Sequence, residues 1–218
     1  MPSPFDQSTY QVRLEWGVEG LDRLASADVV VVVDVLRFSS TVADAVASGS
    51  SVALEDAVGW SRNGAAVAAR AEDSVVLVGS LRNASAVARA VATLQERRQA
   101  RTSVAVIAAG EADAAGAVRF AVEDHLGAGA VIAALTDLGI DHTAPDAAVA
   151  AEGFRALKRA LRHMISASGS AREITEGVAA TERITSAGLV PTSIVGAAEL
   201  DAHDVVPVLR GGQFVAFD

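Results

Sequence analysis

Five consecutive valines, Val29–Val33, give way at once to the polar stretch Asp34-Val35-Leu36-Arg37-Phe38-Ser39-Ser40-Thr41. A β-branched run without apolar–polar alternation needs cover on both faces, which predicts a central strand of a parallel or mixed sheet. Ser39 or Ser40 then suits a helix N-cap, and helical spacing continues to Gly49. In an open α/β sheet, ligands bind beyond the carboxyl ends of strands. A carboxylate there suits Mg²⁺, and a guanidinium suits a phosphate or sulfonate. Asp34 and Arg37 therefore read as the centre of an oxyanion site. A surface pair of the two, with Asp34 capping a turn, is the plainer alternative.

The rest of the chain repeats the strand–turn–helix order. Tyr10–Trp16 alternates with period two, as an edge strand does, and Gly17–Ala25 suits a short helix. Ser51–Glu55 reads as a short strand, with Asp56–Trp60 as a connection and Arg62-Asn63-Gly64 as a turn before a helix over Ala65–Ala71. Ser74–Gly79 is a further strand, and Ser80, Arg82 and Asn83 lead into a helix over Ala84–Arg98. Thr102–Ala109 is another, ending at Gly110-Glu111 with Asp113 close behind, where an acid is placed to reach a shared cleft. A helix is expected from Gly116 to about Gly127, with Phe120 facing the core. Glu123 and Asp124 then fall near its end, where acids oppose the dipole, and this suggests a bound cation. Ala130–Leu138 suits helix or strand, and helix is the preferred reading. Pro145 opens a long helix reaching Met164, whose Arg155, Lys158, Arg159, Arg162 and His163 form a solvated face. Ser168-Gly169 before a helix near Ala171 is a weak phosphate-cradle signal. Ser193–Gly196, Val205–Leu209 and Gln213–Phe217 are read as strands, the last two joined through Gly211-Gly212. The fold class is thus α/β, a three-layer α/β/α arrangement with a mixed, largely parallel central sheet. One domain over residues 1–218 is expected, with 140–218 as an optional C-terminal subdomain.

A formal charge of −9 without a basic cluster argues against nucleic acid as a partner. It also means that an anionic substrate must find locally concentrated positive charge. With no cysteine, disulfides and thiolate chemistry are excluded, in keeping with a cytoplasmic setting. Met1–Gln7 lacks the pattern of a secretory signal, and no apolar run reaches the ~18 residues of a membrane span. No membrane partner is expected, and homo-oligomerisation is left open.

Four islands resemble the 2-phosphosulfolactate phosphatase family. They are Val33–Thr41; Asn63-Gly64 with Val78–Ala86; Ala109-Gly110 through Glu123-Asp124 to Gly129; and Ser168-Gly169 with Asp204–Gly211. The resemblance implies Mg²⁺-dependent hydrolysis of a small phosphorylated hydroxy acid. It implies Asp34, Glu123 and Asp124 as metal ligands, and Asp34 and Arg37 as catalytic residues. Phosphate or substrate binding would fall to Ser39, Ser40, Thr41, Asn63, Gly64, Asn83, Ser168 and Gly169. The chain departs from the family between Leu54 and Asn63, where its segment is shorter, and it carries Ser61-Arg62 and Ala65 where the family has hydroxyl residues. The attacking group is either a metal-bound water or Asp34 itself. The competing reading is an anion-binding or phosphoacceptor module on the same fold. No Walker lysine loop or Gly-x-Gly-x-x-Gly follows any expected strand, which argues against nucleotide binding.

Overall fold

The valine run becomes the second strand of the sheet, and its pleat sends alternate side chains to two separate cores. A computed structural model describes residues 3–61, 63–71, 73–112, 117–177 and 179–218; the readings made for Arg62, Asp113 and Gly116 lie outside them. The first half runs β1 (Val12–Trp16), α1 (Gly17–Arg23), β2 (Val29–Val33), α2 (Phe38–Ala47), β3 (Val52–Ala53), α3 (Leu54–Trp60), α4 (Gly64–Arg70), β4 (Val75–Gly79), α5 (Ala84–Arg98) and β5 (Val104–Ala108). It continues with β6 (Glu111–Ala112), β7 (Val118–Arg119), α6 (Val122–Asp137), α7 (Pro145–Leu157), α8 (Leu161–Ser166), α9 (Gly169–Glu176), α10 (Ala179–Ser186), α11 (Ile194–Ala197), β8 (Pro207–Arg210) and β9 (Gln213–Ala216).

The main sheet has the order β1-β5-β2-β4-β8-β9-β3, while β6 and β7 form a separate antiparallel hairpin. Strands β1, β5, β2 and β4 are parallel; β8 joins β4 antiparallel, β9 joins β8 antiparallel, and β3 joins β9 antiparallel. This is the mixed, largely parallel sheet that the valine run demands. Val29, Val31 and Val33 enter one core with residues of α5, α6 and α7. Val30 and Val32 enter the other, with residues of α2, α3 and α4. Helices on both faces make the three layers. The C-terminal hairpin pairs into the same sheet through Leu77–Val208, and it turns at Gly211 and Gly212, both at positive φ. Among the described residues, no helix is long and apolar enough to cross a membrane.

Several local expectations change. The strand expected over Ser51–Glu55 keeps only Val52 and Ala53; Leu54–Trp60 is helical, with Glu55 and Asp56 in a first turn that favours acids. Ser193–Gly196 also belongs to a helix, whose Ser193 hydroxyl accepts the Gly196 N–H at 3.0 Å. The long helix from Pro145 is broken by a 3-10 turn at Lys158–Ala160. Most consequential is α6. Its first turn, rather than its end, holds Glu123 and Asp124, so the macrodipole favours both acids and the cation argument drawn from an opposed dipole falls. Phe120 precedes the helix and is 57% exposed rather than buried. From Leu126 onward α6 is apolar on nearly every side because it lies between the sheet and α7. The contact with α7 is close: a Cβ built on Gly129 would stand 2.2 Å from the Ala150 carbonyl oxygen.

Candidate active site

The parallel strands β2 and β5 end side by side, and the loops leaving them enclose a cleft of about 180 Å³. Asp34, directly after β2, and Asp124, in the first turn of α6, both line it. The two carboxylates are held by backbone. Asp34 accepts the Phe38 N–H through Oδ1 at 3.2 Å and the Gly64 N–H through Oδ2 at 3.1 Å. Asp124 accepts the Val35 N–H through Oδ1 at 2.7 Å and the Gly110 N–H through Oδ2 at 2.9 Å. Asp124 thereby ties the end of β2 to the end of β5. Glu123, 2% exposed, accepts the Ser170 hydroxyl through Oε1.

Arg37 enters the cleft from the turn between β2 and α2, where the Leu36–Arg37 peptide bond is cis. Its guanidinium donates to the Thr181 hydroxyl on α10. Asn63 reaches across from the start of α4 to donate to the Gly110 carbonyl at 2.9 Å. Gly64 must be glycine for the site to close: a Cβ there would meet Phe38 Cδ1 at 2.5 Å and Asp34 Oδ2 at 2.7 Å. Trp60 at the end of α3, with Phe38 and Ile184, supplies an apolar wall. In the short Leu54–Asn63 segment, the helix Leu54–Trp60 delivers an indole to the cleft.

The electrostatics are dominated by crowded acid. Burial raises the Asp34 carboxyl to about 6; Glu123 adds to the rise, while the two N–H bonds and Arg37 oppose it. Burial also lifts Asp124 well above the ordinary carboxyl range, and the charges of Asp34 and Glu123 push it further. Burial lowers the Arg37 guanidinium, against the attraction of Asp34. Among the described residues, five carboxylates (Asp34, Glu111, Glu123, Asp124 and Glu173) line the cleft against one guanidinium, Arg37.

The acids expected as three metal ligands share the cleft without converging: among the described residues, no group of three His, Cys, Asp or Glu side chains is placed to hold a metal. The side-chain bonds explain this, since Glu123 is drawn toward Ser170 while Asp124 is drawn toward Val35 and Gly110.

Other expected site residues lie outside the cleft lining. Ser39 accepts the Asp34 N–H and donates to the Val32 carbonyl, Ser40 donates to the Val35 carbonyl, and Thr41 accepts the Thr192 N–H. All three are fully buried, and their hydroxyls brace the chain reversal after β2. The helix cap expected of Ser39 or Ser40 falls instead at Arg37, one residue before α2. Asn83 is equally internal, donating to the Val78 and Val205 carbonyls. Its neighbour Arg82 pairs with Asp44 of α2 at 2.7 Å and with Glu199 at 3.2 Å, so the end of β4 ties α2 to the C-terminal segment. Ser168 caps α9 by accepting the Ala171 N–H at 3.2 Å, and Gly169 follows it; Ser170 is the member of that turn that lines the cleft. Glu111, the acid expected to reach a shared cleft from the end of β5, does line it; sequence reasoning missed Trp60, Ser170, Glu173 and Thr181. The Ser168–Ser170 turn carried a signal for one of them; α10 carried none, because its approach to Arg37 is set by packing.

The family model for 2-phosphosulpholactate phosphatase matches residues 48–212. That span contains Asn63, Gly64, Glu123 and Asp124; Asp34 and Arg37 precede it and join the same cleft through the fold. Comparison with curated proteins gives no match. The matched span covers most of the chain, and the chain belongs to the 2-phosphosulpholactate phosphatase family.

Proposed function

We propose that the chain hydrolyses the phosphate ester of a small hydroxy acid, with Mg²⁺ as its cofactor, in the cleft between the ends of β2 and β5. The observation that carries this reading is the pair of backbone-held, buried carboxylates, Asp34 and Asp124, lining one cleft with Arg37. With five acids and one guanidinium among the described lining residues, an anion enters more readily once a cation or protons offset the acidic charge. Carboxylate oxygens are the hard donors Mg²⁺ takes, and the ion needs only one or two of them beside water and substrate phosphate. Asp34 and Asp124 fit that role, and the third ligand expected of Glu123 is not required. Bound there, Mg²⁺ supplies charge neutralisation at the phosphoryl oxygens.

The chain's own residues perform the remaining work. Arg37 grips a phosphoryl oxygen with a fork steadied by Thr181. Asp34 takes the proton of the attacking water at its carboxylate and passes it to the leaving alkoxide oxygen as the ester P–O bond breaks. Asn63 fixes the Gly110 turn through its 2.9 Å bond, and Phe38, Trp60 and Ile184 exclude bulk water.

Phosphate release from 2-phospholactate and related esters, with and without Mg²⁺, tests this reading. Metal-dependent turnover that disappears in Asp34→Asn is expected. Anion binding without turnover in the wild type would refute it in favour of a binding module.

A further inference from the structure

The cleft has a second guanidinium outside its lining. Arg119, on β7, donates to Glu111 Oε2 at 2.6 Å across the β6–β7 hairpin. Its side chain is 64% exposed, and Glu111 lines the cleft. A Cβ built on Gly169 would lie 3.3 Å from Arg119 Nη2, so the guanidinium rests against the first residue of α9. The next residue, Ser170, is inside the cleft and bonded to Glu123. The charge of Arg119 also acts on Glu123 and Glu173, both of which line the cleft. The guanidinium therefore bridges from the hairpin to α9 beside the cleft, within one residue of its interior.

Arg37 and Arg119 differ in kind. Arg37 is half-buried and fixed by Thr181; Arg119 is exposed and held by an ion pair of a type that contributes little and exchanges readily. A phosphorylated hydroxy acid carries two anions a few atoms apart. With Arg37 on the phosphoryl group, the second anion needs its own donor.

We propose that Arg119 is a specificity-determining residue that exchanges Glu111 for the carboxylate or sulfonate of the substrate, selecting phosphate esters that carry a second anion. This rests on the reading of the cleft as a phosphatase site, and the selection is separable from turnover. In the plainer role, Arg119 only neutralises nearby acids, and its loss affects every anion alike.

The test compares 2-phospholactate with isopropyl phosphate, in which a methyl group replaces the carboxylate. The wild type is expected to show a lower KM for 2-phospholactate. In Arg119→Ala the ratio of the two KM values should shrink at least tenfold with the kcat ratio preserved, and Arg119→Lys should recover part of it. A ratio unchanged in Arg119→Ala overturns the proposal. The same comparison by titration calorimetry uses 3-phosphonopropionate against propylphosphonate, which need no hydrolysis. A wild-type preference for the carboxylated ligand that collapses in Arg119→Ala supports the proposal even if no ester is turned over. Equal weakening of both ligands refutes it, while absent turnover alone counts only against the phosphatase reading.

Discussion

Replacing Asp34 by asparagine should change how stability depends on pH, and the size of the change follows from the site. The folded-state carboxyl sits at about 6 against 3.8 for the free side chain, with burial the main cause. Below pH 3.8 both folded and unfolded chains hold the proton and the shift has no effect. Between 3.8 and 6 the folded chain keeps a proton that the unfolded chain has released, so stability falls as pH rises. Above 6 the loss is complete, at about 3 kcal/mol from two pH units of ~1.4 kcal/mol each. Asparagine has no proton to release and escapes this loss. Its single carbonyl oxygen replaces two carboxylate oxygens, leaving the N–H of Phe38 or Gly64 without its present partner, a pH-independent penalty of roughly 1–3 kcal/mol. Asp34→Asn should therefore be less stable than wild type near pH 4 and draw level with it, or pass it, by pH 7. Relief of Asp124 from its charged neighbour acts in the same direction. Urea unfolding in metal-free buffer at fixed ionic strength, from pH 4.5 to 7.5, measures the difference. About 2 kcal/mol of the loss falls within this range, a relative thermal shift on the order of 4–8 °C. Two stability curves that run parallel across this range would refute the account of Asp34 as a buried, destabilised carboxylate.

Gly64→Ala should reduce kcat/KM at least tenfold and destabilise by about 1–3 kcal/mol, because the added Cβ stands 2.5 Å from Phe38 and 2.7 Å from Asp34; steady-state kinetics and the urea midpoint report the two effects. Gly129→Ala should destabilise by about 1–3 kcal/mol, since its methyl would stand 2.2 Å from the Ala150 carbonyl and separate α6 from α7; near-wild-type thermal stability would show that this interface yields easily. Arg37→Ala should weaken substrate by roughly 1.5–3 kcal/mol if it makes a charge-assisted bond, and an unchanged KM would remove it from the site.

The main sheet was legible because the valine run admits no half-exposed position: its five residues alternate between two cores and all are buried. Helix α5 was equally legible, since its long helical pattern follows a capped turn at Ser80. The residues before α6 misled because Val118, Phe120 and Val122 alternate with period two, a strand signal that was read as the start of a helix. In the fold Val118 and Arg119 instead pair with Glu111 and Ala112, and the helix begins where Glu123 and Asp124 can occupy its first turn. That acidic first turn was a usable start signal, read as an end. Asp34, Arg37, Asn63, Glu123 and Asp124 share one cleft; the first two were read from the end of the valine strand and the other three with the help of the family resemblance, while the dipole argument for the acidic pair was wrong. The hydroxyls of Ser39, Ser40 and Thr41 could not be assigned from sequence, because a serine that braces a reversal and one that cradles an anion occupy the same positions. Tertiary geometry separates the two uses.

Asp124 has two duties, and they set how the family trait can decay. Its carboxylate joins the ends of two neighbouring strands, so a descendant that has abandoned hydrolysis would still be selected to keep it as a rivet. Arg37 has no comparable hold on the framework: its guanidinium meets a threonine on a surface helix. Among relatives, persistence of the aspartate therefore says little about whether chemistry continues, whereas, on the proposed role of Arg37, replacement of the arginine would mark the loss of phosphate binding.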